Sequence, residues 1–189
     1  TGVDTQAELQ ALVTAAVDAA VTALNTIKEA AENNNATATT PAASVYAAAG
    51  VTGVDATNLS ASSSALNSAV VNGGLADTTA EVQAIVDGYK AIQANANGTA
   101  ADNATNPTQA QYTAIGVTGV NSATKESLLG DVVDAKAFTD VDTVAEVQAL
   151  ADAAAAVMTG AAGTTAPTKA QLEALGINPG ARAETLQLT

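Results

Sequence analysis

The chain has 189 residues, a net charge of −13 from nineteen acidic and six basic residues, and neither cysteine nor histidine. That balance excludes nucleic acid as an expected partner, because phosphate binding needs clustered Lys or Arg, and it argues against an anionic membrane surface. Without Cys or His there is no disulfide, thiolate chemistry, conventional catalytic triad or zinc site.

About a quarter of the residues are alanine, and the aromatics are limited to Tyr46, Tyr89, Tyr112 and Phe138. Any core is therefore thin, with helices approaching closely over methyl groups, and the strongest helix former dominates the chain.

The first predicted element is long. "VDTQAELQALV" (3–13) places Thr5 to cap N-terminal amides while Glu8, three residues on, reaches back to complete a capping box. Beyond it Leu9, Val13, Ala16, Val17, Ala20, Leu24, Ile27 and Ala31 keep the three-and-four spacing of one helical face. After the polar loop "NNNATATT" (33–40), "PAASVYAAAG" (41–50) reads as a short helix with Thr40 as cap and Pro41 at its first position. Gly50 follows its end. "GVTGV" (50–54) then turns the chain, Gly50 and Gly53 permitting positive φ. Asp55 opens a medium helix that carries Leu66, Val70 and Val71.

The same order returns. "ADTTAEVQAIV" (76–86) has Thr78 and Glu81 as its capping box, with Val82, Ile85, Val86, Tyr89 and Ile92 on one face. The loop "NANGTAADNATN" (95–106) leads to the short helix "PTQAQYTAIG" (107–116), boxed by Thr108 and Gln111. A second "GVTGV" (116–120) supplies Gly116 and Gly119, and a medium helix from Asn121 carries Leu128, Leu129, Val132 and Val133. "VDTVAEVQALA" (141–151) starts a third round with Thr143 and Glu146, followed by Val147, Leu150, Ala154 and Met158. The loop "TGAAGTTA" (159–166) precedes "PTKAQLEALG" (167–176), which ends at Gly176. There "GINPG" (176–180) replaces the Thr-Gly corner, and "ARAETLQLT" lacks the apolar medium helix. Only "TLQLT" (185–189) shows strand-like alternation.

Pro41, Pro107 and Pro167 stand 66 and 60 positions apart, and Glu8, Glu81 and Glu146 stand 73 and 65 apart. A recurring unit of this length predicts an all-α tandem array of small three-helix bundles, each with a long, a short and a medium helix. The expected repeats are 1–73, 74–138 and a shortened terminal 139–189. Cores this thin are marginal alone, so neighbouring repeats are expected to share contacts.

The order "YTAIGVTGVNSATKESLLGDVVDAKAFTDVDTVAEVQALADAAAAV" (112–157) is similar to the Ala-rich three-helix tandem repeats of very large bacterial surface and adhesin-like proteins. In those proteins strings of the form PTxAQYxALGVTGV and TxAEVQALVDA recur many times. The resemblance covers nearly the whole chain. It implies an extracellular or cell-surface location and a mechanical role: adhesin stalk, surface-layer component or self-assembling filament subunit. A second resemblance, over one unit, is to the GA module, a three-helix albumin-binding bundle echoed at Gly116–Val117 and Thr143–Leu150. It implies a protein ligand held on one helix face; no binding residues carry over. The expected partners are thus copies of the chain, neighbouring repeats, or a host or environmental protein.

Catalysis is not expected, nor any cofactor. Ser122, Ser127 and Lys125 are the nearest approach to a Ser–Lys pair, and Lys125 reads as solvated. "GVTGV" lacks both the spacing of a phosphate loop and a preceding strand. Asp140 and Asp142 are candidate calcium ligands without EF-hand spacing, set against the plainer role of acids complementing a helix N-terminus. Asn35, Asn58, Asn97 and Asn103 head glycosylation sequons. Tyr46 and Tyr112 hold equivalent positions and read as core anchors. No uninterrupted run of eighteen apolar residues occurs, so membrane insertion is not expected. "TGVDTQAELQ" has no basic n-region and no apolar h-region, which reads as no signal peptide, in a chain either mature or cut from a longer one.

Overall fold

The computed structural model describes residues 2–33, 40–99 and 105–178. Their regular elements are helices: α1 (Gln6–Asn33), α2 (Ala43–Ala48), α3 (Leu59–Leu66), α4 (Thr79–Asn95), α5 (Gln109–Ala114), α6 (Ala123–Asp134), α7 (Val144–Ala161) and α8 (Lys169–Ala174). Short 3-10 turns at Gly73–Leu75 and Phe138–Asp140 lead towards α4 and α7. Among the described residues there is no strand, only an isolated bridge between Asn97 and Ala137. The segment "TLQLT" lies outside them. The described residues are thus all-helical.

Three helix starts differ from the sequence reading. α2 is capped by Ala42, not Thr40, and has no side-chain cap. Pro41 shares its register with Pro107 and Pro167, each of which precedes a cap residue (Thr108, Thr168) that the first copy replaces with Ala42. α3 begins at Leu59 after Asn58, because Asp55 is spent on a turn. Its carboxylate accepts from the Thr57 N–H at 2.8 Å, and its carbonyl accepts from the Leu59 N–H at 3.0 Å. In the later copy Ser122, rather than Asn121, caps α6 through the Lys125 N–H at 3.3 Å. α3 also stops at Leu66, so Val70 lies beyond it and is exposed, whereas Val71 is buried.

Contacts divide the chain into two compact units, Thr1–Val86 and Asp87–Thr189. In the first, α2 and the 3-10 turn lie on α1, burying Ala23, Ile27, Ala30 and Ala31. Tyr46, Leu66, Val71, Val82, Ile85 and Val86 complete its interior. In the second, α7 packs on both α6 and α8, and the interior holds Tyr89, Ile92, Tyr112, Ile115, Leu129, Val133 and Val147. Each fully buried Val, Leu or Ile contributes about 1.5–3 kcal/mol, so tyrosines and branched aliphatics carry a core otherwise made of methyl groups. Close approach is achieved by glycine: a Cβ on Gly88 of α4 would stand 2.8 Å from the Gln111 carbonyl oxygen and from Ile115 Cγ2 of α5.

α1 departs from this pattern. Ile27 and Ala31 are buried, but Leu9, Val13 and Val17, on the same predicted face, are exposed. By length and composition α1 is long and apolar enough to cross a membrane. Thr14 and Asp18 break any uninterrupted apolar run, which is why a strict run criterion passes it over.

Candidate functional site

The recurring feature with non-local consequence is the corner after each short helix. All three corners are Schellman motifs. Gly50, Gly116 and Gly176 have φ of 81°, 92° and 76°. Their N–H groups donate to Ala47, Thr113 and Glu173 carbonyls at 3.0, 3.0 and 2.9 Å. The next N–H, from Val51, Val117 or Ile177, donates to Tyr46, Tyr112 or Leu172 at 2.9, 3.0 and 2.9 Å. Gly53 and Gly119 add a second positive φ, 80° and 83°, which turns the chain away from the short helix. Lys125, read as solvated, instead donates its ammonium to the Gly119 carbonyl at 2.9 Å and to Asn121 Oδ1 at 3.0 Å. That geometry ties the corner to α6.

Each long helix begins with the same reciprocal cap. Thr5, Thr78 and Thr143 N–H groups donate to Glu8, Glu81 and Glu146 Oε2 at 3.0 Å each. The glutamates' N–H groups return to the threonine hydroxyls at 3.2, 3.2 and 3.3 Å. Thr108 with Gln111 and Thr168 with Gln171 form the uncharged version on α5 and α8. The Thr5 and Thr78 hydroxyls, aided by nearby N–H groups, hold the Glu8 and Glu81 carboxyls below the ordinary range.

Two residues that the sequence reading did not single out join these parts. Gln83 Oε1 accepts from the Thr52 N–H at 2.8 Å while its Nε2 donates to the Thr52 carbonyl at 3.1 Å. Gln148 does the same to Thr118, at 2.8 and 3.2 Å. A primary amide matches one residue's main-chain donor and acceptor at once, so each corner is locked to the first turns of the following long helix. Thr79 adds a bond from its hydroxyl to the Ala49 carbonyl at 2.8 Å. The signal was present: Gln10, Gln83 and Gln148 occupy one position of the "AELQA", "AEVQA" and "AEVQA" strings. Polar residues on a helix surface carry no visible target until the corner is brought to them.

The remaining candidates do not gather. No group of three or more Asp, Glu, His or Cys side chains able to hold a metal occurs among the described residues. Asp142 is pushed up first by burial and then by the neighbouring acids Glu146 and Asp140 near the helix start. Of the sequon asparagines, Asn35 and Asn103 lie outside the described residues, and Asn97 is exposed. Asn58 is buried, its Nδ2 donating to the Gly53 carbonyl at 2.8 Å and its Oδ1 accepting from the Asp55 N–H at 3.1 Å. In the folded chain that amide is withdrawn from solvent.

Compared with known proteins, the chain matches no family model, no curated protein sequence and no solved structure.

Proposed function

We propose that the chain is a non-catalytic structural repeat protein of the bacterial cell surface or extracellular matrix, an adhesin stalk, surface-layer or filament subunit. Its three-helix units at 1–73, 74–138 and 139–189 are added by one repeated joint. The observation that carries this reading is the joint itself. The corner at Thr52 is clamped by Gln83, and 66 residues on the corner at Thr118 is clamped by Gln148 with the same two bonds. A joint used twice within one chain is the means by which a solenoid-like array is extended, its stability a sum of units and nearest-neighbour contacts. The acidic surface suits such a role, since a net charge of −13 resists nonspecific association. The second reading, a three-helix module that captures a protein on one helix face, draws on the exposed apolar side chains of α1.

Removal of one whole period tests the reading. A chain lacking 74–138 brings the Thr52 corner to Gln148, its equivalent partner. It is expected to stay helical by far-UV circular dichroism and to melt in a single cooperative transition. Loss of helix or of cooperativity would sink the additive array. Antibody labelling of intact producing cells tests the location; labelling only after permeabilisation would overturn it.

A further inference from the structure

Three register positions of the long helices behave alike in α4 and α7 and differently in α1. Leu9 is equivalent to Val82 and Val147, and it is 56% exposed where both of those are 0%. Leu12 is 55% exposed against 1% for Ile85 and 6% for Leu150, and Val13 follows the same rule. The corner that covers the first turns of α4 and of α7 comes from the copy before, through Thr52 and Thr118. Gln10, at the clamp position, turns instead towards Thr14 Oγ1 at 3.5 Å.

The corner after α8 is more exposed than its two equivalents. Ile177 is 47% exposed, whereas its equivalents Val51 and Val117 are 3% and 2%. Leu172 and Leu175 are half-buried where Tyr46, Tyr112 and Ile115 are fully buried. Gly176 and Ile177 nonetheless make the Schellman bonds of the earlier copies.

We propose that the N-terminal face of α1 is the seat for the α8 corner of a second copy of this chain, docked head to tail. The proposal rests on the repeat reading above and extends it from cis to trans. The occupant is identified by the two internal joints: the same face, with the same capping box and glutamine, receives the same short-helix corner each time. Leu9, Leu12 and Val13 take Ile177 and the exposed side of α8, and the Gln10 amide closes on the corner. A recess lined by Val3, Glu8, Ala11 and Leu12 opens beside this face. The two surfaces are different, so the contact is heterologous and grows without closing unless the rotation happens to form a ring. The net charge opposes it, so added salt strengthens it.

Sedimentation velocity of the whole chain, over a wide concentration range in low and moderate salt, is the test. The wild-type mass is expected to rise with concentration from 18.4 kDa without stopping at two copies, and more steeply in salt. Leu12→Asp and Ile177→Asp each change an exposed side chain, so each is expected to keep its helicity and remain a monomer. Mixed in equal amounts, they leave one intact head and one intact tail and are expected to give a dimer and nothing larger. Gln10→Ala is expected to weaken association about fivefold to tenfold. A wild-type chain that stays monomeric overturns the proposal, and so does a mixture that fails to dimerise. Assembly that survives Ile177→Asp but not Leu12→Asp means that α1 faces pair with each other, which also overturns it. A monomer that binds zwitterionic vesicles through α1 assigns the face to a membrane instead. None of these outcomes touches the period deletion, whose failure would be read in its own melting curve.

Discussion

Tyr112 is buried on α5, and its hydroxyl has no hydrogen-bond partner among the described residues. Burial, with the charge of Glu126 added, holds the phenol far above its ordinary range. The ring fills a core short of large side chains, whereas the hydroxyl is a desolvated group without return. Removing it alone is therefore expected to be neutral or stabilising by up to about 1 kcal/mol, while removing the ring costs about 3–5 kcal/mol. Thermal melts of Tyr112→Phe and Tyr112→Ala check this; a clear loss in the Phe variant would mean that the hydroxyl is satisfied. The ring was legible in the sequence from its place in "PTQAQYTAIG". The stranded hydroxyl was not, since it depends on what surrounds it.

At the scale of elements, the close contact of α4 with α5 is set by Gly88. Alanine there improves helix propensity by about 1 kcal/mol, yet its Cβ would lie 2.8 Å from the Gln111 carbonyl oxygen, a backbone atom unable to swing aside. The two helices must separate, and overpacking of this kind costs about 1–3 kcal/mol. Gly88→Ala is expected to lower stability by a net of up to about 2 kcal/mol in urea titration; a more stable variant would show that α5 yields freely. Glycine inside a helix is a weak sequence signal, because its reason lies on another element. Caps and corners are the opposite case. "DTxAE" and "GVTG" name their own partners within a few residues, so Thr143 with Glu146 and Gly116 with Val117 are readable in place. Where the cap residue was Ala42, the string gave no local marker, and the start of α2 was misread.

For the whole molecule, pH probes the interior. Glu8 and Glu81 have folded pKa values below the ordinary 4.5, so each contributes stability that is present above that value and lost as pH falls. Asp142, raised above 3.8, works in the opposite sense and eases as it protonates. These offset one another, so a shallow acid limb follows. The alkaline limb is one-sided. Burial pushes Tyr46 up to about 12, a shift the Ser63 hydroxyl only partly counters, and Tyr112 is raised as well. A folded pKa above the unfolded value of 10 means that stability is fully present below pH 10 and lost as pH rises through 12. Melting temperature is expected to hold steady to about pH 9.5 and then fall. Tyrosinate absorbance from Tyr46 and Tyr112 should appear only as the chain unfolds; early absorbance from these two would mean that the core admits water.

The sequence by itself determined the helical class, the order of long, short and medium elements, the capping boxes and the glycine corners, because each is fixed by residues within one or two turns of one another. It also displayed the apolar face of α1 as equal to those of α4 and α7. Only the tertiary structure decided that this face is bare at Leu9, Leu12 and Val13, that Ile177 is bare likewise, and that Gln83 and Gln148 are clamps. Periodicity reports which side chains share a face, but burial requires a second surface to arrive, and that surface lies some 30 residues away in the chain for Thr52 and Thr118.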